Sequence, residues 1–166
     1  LASDIRGKVI LTPHIGANTE EAQSAVAAIA EAARPSPDGR PLVISDYSDN
    51  PGSGAYGDAT TLLRAILEAG LTNVGFHAIC DPEAALKAQE AGVGNTLRLA
   101  LGGKVDPTIG GPPLDVTAEV VTLSSGRFIA YGPMGGGAWR NHGLSALLRI
   151  DGVEVVVITN NGQATN

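Results

Sequence analysis

The run Asp49-Asn50-Pro51-Gly52-Ser53-Gly54-Ala55-Tyr56-Gly57-Asp58 concentrates the groups of this chain that could do chemistry. Glycines let backbone N–H groups approach a ligand closely, and a helix starting directly after such a turn adds unsatisfied N–H groups of its own. Three carboxylates, Asp46, Asp49 and Asp58, stand in or beside the turn. An acidic rim on an N–H-lined turn suits a metal ion, a hydroxyl or an amine better than a bare phosphate. If Asp49 and Asp58 alone held a metal, two carboxylates would favour a hard ion such as Mg²⁺ or Ca²⁺ over zinc. Asn50, Gly52, Gly54 and Asp58 are the candidates for ligand binding in this loop.

Two further glycine-rich segments could join it. Tyr131-Gly132-Pro133-Met134-Gly135-Gly136-Gly137-Ala138-Trp139-Arg140 offers a stacking surface and, at Arg140, a fixed positive charge for ligand binding. Leu101-Gly102-Gly103-Lys104-Val105-Asp106-Pro107 carries a lysine and an aspartate but no P-loop pattern. Each could be a surface turn, yet three in one domain favour a shared site. The histidines, His14, His77 and His142, show no metal-ligand spacing, so no metal site is assigned. His77 lies in an apolar strand and reads as a packing residue. His142 lies in a glycine-rich turn and reads as exposed. Cys80 precedes a helix N-terminus, which would stabilise a thiolate, but without a histidine at motif spacing it reads as structural.

The elements that must position these groups follow from the apolar pattern. The run 41–46 is a strand, with Leu42, Val43 and Ile44 expected to be buried, and 59–69 is a helix ended by Gly70. The next strand spans 73–79. Asp81 caps a helix with Pro82 at its first position, ending at Gly92. Strands follow at 96–101, 114–123, 127–131, 144–150 and 153–159. Ser124-Ser125-Gly126 and Asp151-Gly152 are hairpin turns, the second of type I′ pattern. The fold class is α/β, a βαβα front half followed by a mainly antiparallel β back half. Upstream, residues 8–12 are a strand and a helix runs from residue 18 or 19 to about 33. Three prolines and a glycine then break the pattern. The expected organisation is a strand–helix appendage at 1–34, a linker at 35–40, and an α/β domain at 41–166.

With 166 residues, the chain is one domain by length and long enough for a real core. Gly 22 and Pro 10 imply many turns, and aromatics at 4% leave the core to Val, Ile, Leu and Ala. The net charge of −6 argues against nucleic acid and anionic membranes as partners. No apolar run reaches the roughly 18 residues of a membrane span. The single Cys80 rules out an internal disulfide, and a cytoplasmic location is expected. A start without Met and an end at Asn160-Asn161-Gly162-Gln163 fit a fragment of something longer.

Residues from about 41 to 159 resemble the C-terminal domain of the microcystin-degrading MlrC-type metallopeptidases. The resemblance rests on the segment 48–58 followed by Leu62-Leu63-Arg64-Ala65. It continues through Asp81-Pro82-Glu83-Ala84, Ala91-Gly92-Val93-Gly94, Leu101-Gly102-Gly103-Lys104, Gly111-Pro112-Pro113-Leu114 and Gly132-Pro133-Met134. Ser53 and Tyr56 stand where that family usually has Gly and Pro. The resemblance implies a zinc-dependent amide hydrolase whose zinc ligands belong to a larger N-terminal domain. This part would supply loop residues over the metal, with Asp49 the candidate catalytic position. Residues 8–23, including Val9-Ile10-Leu11-Thr12-Pro13-His14-Ile15-Gly16, are similar to the end of the nucleotide-binding domain of D-isomer-specific 2-hydroxyacid dehydrogenases. That family implies NAD as cofactor and His14 as its acid/base. The glycine-rich nucleotide fingerprint, the substrate arginine and the orienting carboxylate of that family have no counterpart in this chain.

The leading expectation is a site-completing C-terminal part of an MlrC-like hydrolase, inactive alone and with no cofactor of its own. Its zinc would come with the whole enzyme. Its partner would be the missing metal-bearing domain or a second copy. On this view, Asp49→Ala should leave folding intact. The alternatives are a fragment of an NAD-dependent dehydrogenase and a non-catalytic module that binds a small ligand or a protein.

Overall fold

A computed structural model describes residues 9–13, 29, 31–34, 39–46, 48–133 and 135–163. Its strands are β1 (Val9–Pro13), β2 (Val43–Asp46), β3 (Val74–Cys80), β4 (Thr96–Leu101), β5 (Leu114–Ser124), β6 (Arg127–Ile129), β7 (Trp139–Asn141), β8 (Ser145–Ile150) and β9 (Val153–Ile158). The helices are α1 (Thr61–Glu68), α2 (Pro82–Ala91) and the single turn α3 (Pro107–Gly110). Seven strands make one sheet in the order β2-β1-β3-β9-β8-β5-β4, and β6 and β7 form a separate pair. The first four strands in that order run parallel. From β9 through β8 and β5 to β4 the pairing is antiparallel. The α/β front and antiparallel back expected from the sequence are therefore present in one mixed sheet.

The core forms where apolar alternation meets helix faces. In β5, Leu114, Val116, Ala118 and Val120 are buried while Asp115 and Thr117 face out. Helix α1 contributes Leu62, Leu63 and Ile66 at helical spacing, whereas Ala69, just past its last turn, is exposed. Helix α2 meets β4, β5, β8 and β9 and presents Ala84, Ala85 and Ala88, all fully buried. Their small side chains let the helix approach the sheet closely. Asp81 caps α2 through Ala84 N at 3.0 Å, with Pro82 at its first position. The β8–β9 turn has φ of 47° at Asp151 and 85° at Gly152. Two positive φ values in a two-residue loop are the type I′ pattern, and Ile150 pairs with Val153 across it.

Several expectations are corrected. Val43 is 60% exposed, because β2 is the edge strand of the sheet, and only Leu42 and Ile44 pack against the core. Residues 124–126 do not close a β5–β6 hairpin. Strand β8 pairs with β5 as far as Ser124 opposite Ser145, while β4 pairs with β5 from Leu114 to Glu119. Strand β6 instead leaves the sheet and pairs with β7, a three-residue strand that no sequence pattern announced. The strand expected at 8–12 exists as β1, but it lies between β2 and β3 and pairs with both. Without it those strands would each show an unpaired edge. Of the helix expected to end near 33, only residues 29, 31 and 32 are described as helical. His14 and residues 35–38 lie outside the described residues.

Candidate functional site

The parallel strands deliver their carboxyl ends to one edge of the sheet, where open α/β sheets place ligand sites. Strand β2 leads toward the loop 48–60, β3 ends at Cys80 and Asp81, and β9 leads into residues 159–163. The loop 48–60 is tied down from within. Asn50 is buried, and its side-chain oxygen accepts from Gly52 N at 2.9 Å, capping the 3-10 turn Pro51–Ser53. Gly54 closes that turn in the left-handed conformation at φ 91°, which requires glycine. Asp49 accepts from Gly57 N through one oxygen and from Ala59 N through the other, each at 2.7 Å. Asn50 and Asp49 thus first serve to shape the loop.

Asp58 connects this loop to the second glycine-rich segment. It is 4% exposed, and one carboxylate oxygen accepts from Lys104 N at 2.8 Å and Val105 N at 3.0 Å. Its backbone oxygen accepts from Gly103 N at 2.7 Å. Asp81 accepts from Gly102 N at 2.9 Å and pairs with Lys104 Nζ at 3.0 Å. The Lys104 ammonium is disfavoured by its partial burial, but its hydrogen bonds to Glu83 and Asp81 raise its pKa overall. Thr60 closes the other side, donating through its hydroxyl to Pro112 O at 2.8 Å. Two of the three glycine-rich segments therefore meet as expected. Beside them lies a cavity of about 300 Å³ lined by Ser48, Asp49, Ser53, Tyr56, Asp58 and Ile109, among others.

The third segment does not join this cavity. Arg140, with Trp139, Asn141, His142 and the tail residues Gly162 and Gln163, lines a separate cavity of about 630 Å³. The tail touches both places. Asn161 Nδ2 donates to Ala55 O at 3.0 Å, and a side chain on Gly52 would collide with Gln163. These tail residues were visible in the sequence only as a polar chain end. His142, expected to be exposed, is 8% exposed. The backbone N–H groups of Thr159 and Asn160 bind its carbonyl at 3.1 and 2.9 Å. Its ring packs 5.1 Å from Phe128 and 5.8 Å from His77. His77 is part-buried in β3, as a packing residue should be. Burial lowers the pKa of both imidazoles; the His142 ring lowers His77 further, and the Arg140 charge lowers His142 further. The Cys80 thiol is pushed up, first by burial and then by Asp58, Asp81 and Asp49, which opposes the thiolate a helix N-terminus would favour.

Burial dominates at Asp49, outweighing its two backbone hydrogen bonds, and with the charges of Asp58 and Asp46 it raises the pKa to about 6. The folded state therefore holds a proton at Asp49 that the unfolded chain releases near the ordinary carboxylate pKa of 3.8. This contribution to stability is fully present below the unfolded pKa and is lost as pH rises through about 6. Allowing for solvent screening, the loss is about 1–2 kcal/mol. Asp49→Asn cannot titrate, so urea denaturation from pH 4 to 7 should show the native protein losing about that much relative to the variant. Parallel stability curves would contradict this assignment. The geometry also corrects the expectation for Asp49→Ala. That change would strand Gly57 N and Ala59 N and cost about 2 kcal/mol of folding stability.

Among the described residues no group of three or more His, Cys, Asp or Glu is placed to hold a metal ion. No described helix is long and apolar enough to cross a membrane.

A mixed sheet with braced, carboxylate-bearing loops at the carboxyl ends of its parallel strands defines an α/β domain with a candidate site at that edge. A sequence model of the family described as "MlrC C-terminus" matches residues 44–166, and the chain belongs to that family. It is 42% identical over 84 residues to Microcystinase C of Sphingomonas sp., covering 51% of this chain and 16% of that protein. The crystal structure of a "putative metallopeptidase" from Mesorhizobium sp. BNC1 superposes with a TM-score of 0.60 at 32% identity, covering 68% of this chain and 22% of that one. This chain thus spans about a fifth or less of the length of these relatives.

Proposed function

We propose that this chain is the C-terminal, site-completing part of an MlrC-like zinc-dependent amide hydrolase and has no hydrolase activity alone. The observation that carries the reading is the loop 48–59, held rigid at the carboxyl edge of the sheet with Asp49 and Asp58 beside an open cavity. Family membership and the relatives described as a microcystinase and a metallopeptidase support it. The described residues do not themselves fit a zinc site. The His142 ring packs against both Phe128 and His77, and both oxygens of Asp49 already accept N–H groups. The zinc ligands would therefore come from another part of the enzyme, against which this loop would close. Each Asp49 oxygen keeps a second lone pair with which to orient a ligand there, and its pKa of about 6 lets it exchange a proton near neutrality.

The test combines calorimetry and an activity assay. Zn²⁺ and NADH are titrated into the purified chain. Amide hydrolysis is then measured with the chain alone and with the chain added to Microcystinase C lacking its own C-terminal region. The expected results are no tight zinc binding, no NADH binding and no hydrolysis by the chain alone. Adding the chain should restore activity, and the Asp49→Asn variant should restore at least tenfold less. Hydrolysis or stoichiometric tight zinc binding by the chain alone would overturn the proposal. Micromolar NADH binding would favour the dehydrogenase reading of residues 8–23 instead.

A further inference from the structure

The cavity beside β7 has a chemistry distinct from that of the acidic loop. In the β6–β7 pair Arg140 sits opposite Phe128 and is part-buried, while its neighbours Trp139 and Asn141 face out. The Arg140 Nε is buried and has no hydrogen-bond partner among the described residues. A buried N–H on a cation is costly to leave unmade. The residues lining this cavity include no aspartate or glutamate that could answer the charge. They offer instead the Asn141 and Gln163 amides, the His142 ring and the Trp139 indole. The chain as a whole carries a net charge of −6, so a cationic cavity with no carboxylate among its described lining residues runs against its background.

The glycines shape the opening. A Cβ on Gly135 would lie 2.5 Å from Arg140 Nη2, so glycine here keeps the space beside the guanidinium clear of a side chain. Nε and Nη2 form the side-on edge of the guanidinium, two parallel donors that match the two oxygens of a planar carboxylate. A tetrahedral phosphate would need more positive charge than one arginine, and the lining holds no lysine. Trp139 is 65% exposed at the rim, and the Arg127 guanidinium lies 5.6 Å from its ring centroid. The volume of about 630 Å³ suits a small organic molecule rather than a bare ion.

We propose that this cavity binds a small organic carboxylate, held by the Nε–Nη2 edge of Arg140 with its apolar body against Trp139. The inference does not depend on the hydrolase reading, since carboxylate binding here needs neither a metal nor a second domain. Trp139 is the only tryptophan in the chain, so its fluorescence and its indole N–H resonance report on this cavity alone. The full chain would be titrated with N-benzoylglycine, with the corresponding amide, and with inorganic phosphate. Saturable binding of the carboxylate is expected, with the amide and phosphate each at least tenfold weaker. Arg140→Lys keeps the charge but loses the two-donor edge, and should weaken the carboxylate about tenfold. Equal binding of acid and amide, phosphate binding as tight as the carboxylate, or an unaffected Arg140→Lys variant would each overturn the proposal. So would the absence of saturation in both signals at about 10 mM ligand.

Discussion

Replacing Asp81 with alanine should lower the free energy of unfolding by about 4 kcal/mol, a large share of the roughly 5–15 kcal/mol by which domains are stable. Asp81 is 2% exposed and does three things at once. It caps α2 through Ala84 N at 3.0 Å, fixes the second glycine-rich segment through Gly102 N at 2.9 Å, and neutralises Lys104 Nζ at 3.0 Å. Loss of a helix cap alone costs about 1 kcal/mol. Breaking the pair and stranding a buried N–H accounts for the rest. Asp81→Asn keeps the shape but turns an amide NH₂ toward one of the two N–H donors, so it should recover only part of the loss. Lys104→Ala, removing the more exposed partner, should cost clearly less than Asp81→Ala. Urea denaturation of the three variants checks the ranking. An Asp81→Ala loss no greater than that of a cap would show that the contact to the glycine-rich segment contributes nothing.

Gly103→Ala should be comparably damaging, by about 3–5 kcal/mol, although it adds a single methyl group. Gly103 has φ of 59°, where a Cβ strains the backbone. The added Cβ would lie 2.4 Å from Gly111 O, 2.7 Å from Pro112 C and 2.8 Å from Pro113 N. All three are backbone atoms, so no rotamer change relieves the clash. Residues 102–105 and 111–113 would have to separate, and with them the hydrogen bonds from Lys104 N and Val105 N to Asp58. The neighbouring Gly54→Ala change also falls at positive φ but meets nothing within 4 Å, so it should carry only the backbone strain of about 1–2 kcal/mol. Thermal unfolding of the pair tests this. Equal shifts would mean that the close approach at Gly103 relaxes without cost.

These effects turn on contacts of different range, and the range decides what could be read beforehand. Asp81 as a cap was legible because a cap is set by its own helix, three residues away. Its bond to Gly102 spans 21 residues and had no sequence pattern. The same holds for Asp58, whose place in the acidic loop was evident but whose partners at 104 and 105 were not. The motif segments 48–58 and 101–104 stood out one by one as family features. Only the fold shows that they touch each other, and that the segment at 131–140 faces a different cavity.

The sequence by itself determined the local elements: the strand–loop–helix at 43–68, the capped α2 ending at Gly92, the type I′ turn at Asp151-Gly152, and the alternating strands of the back half. Each follows from backbone sterics and apolar periodicity within a few residues. It also carried the family, through residues spread over most of the chain. The tertiary structure decided the rest. It placed β1 between β2 and β3, left Val43 on an edge, buried His142 against Phe128, and paired β6 with β7 outside the main sheet. It also drew Asn161–Gln163 between the two cavities. Strand order and loop contact are settled by which edges remain open and which polar groups need partners after the core has formed. Those are properties of the whole packed chain, and no local window of sequence contains them.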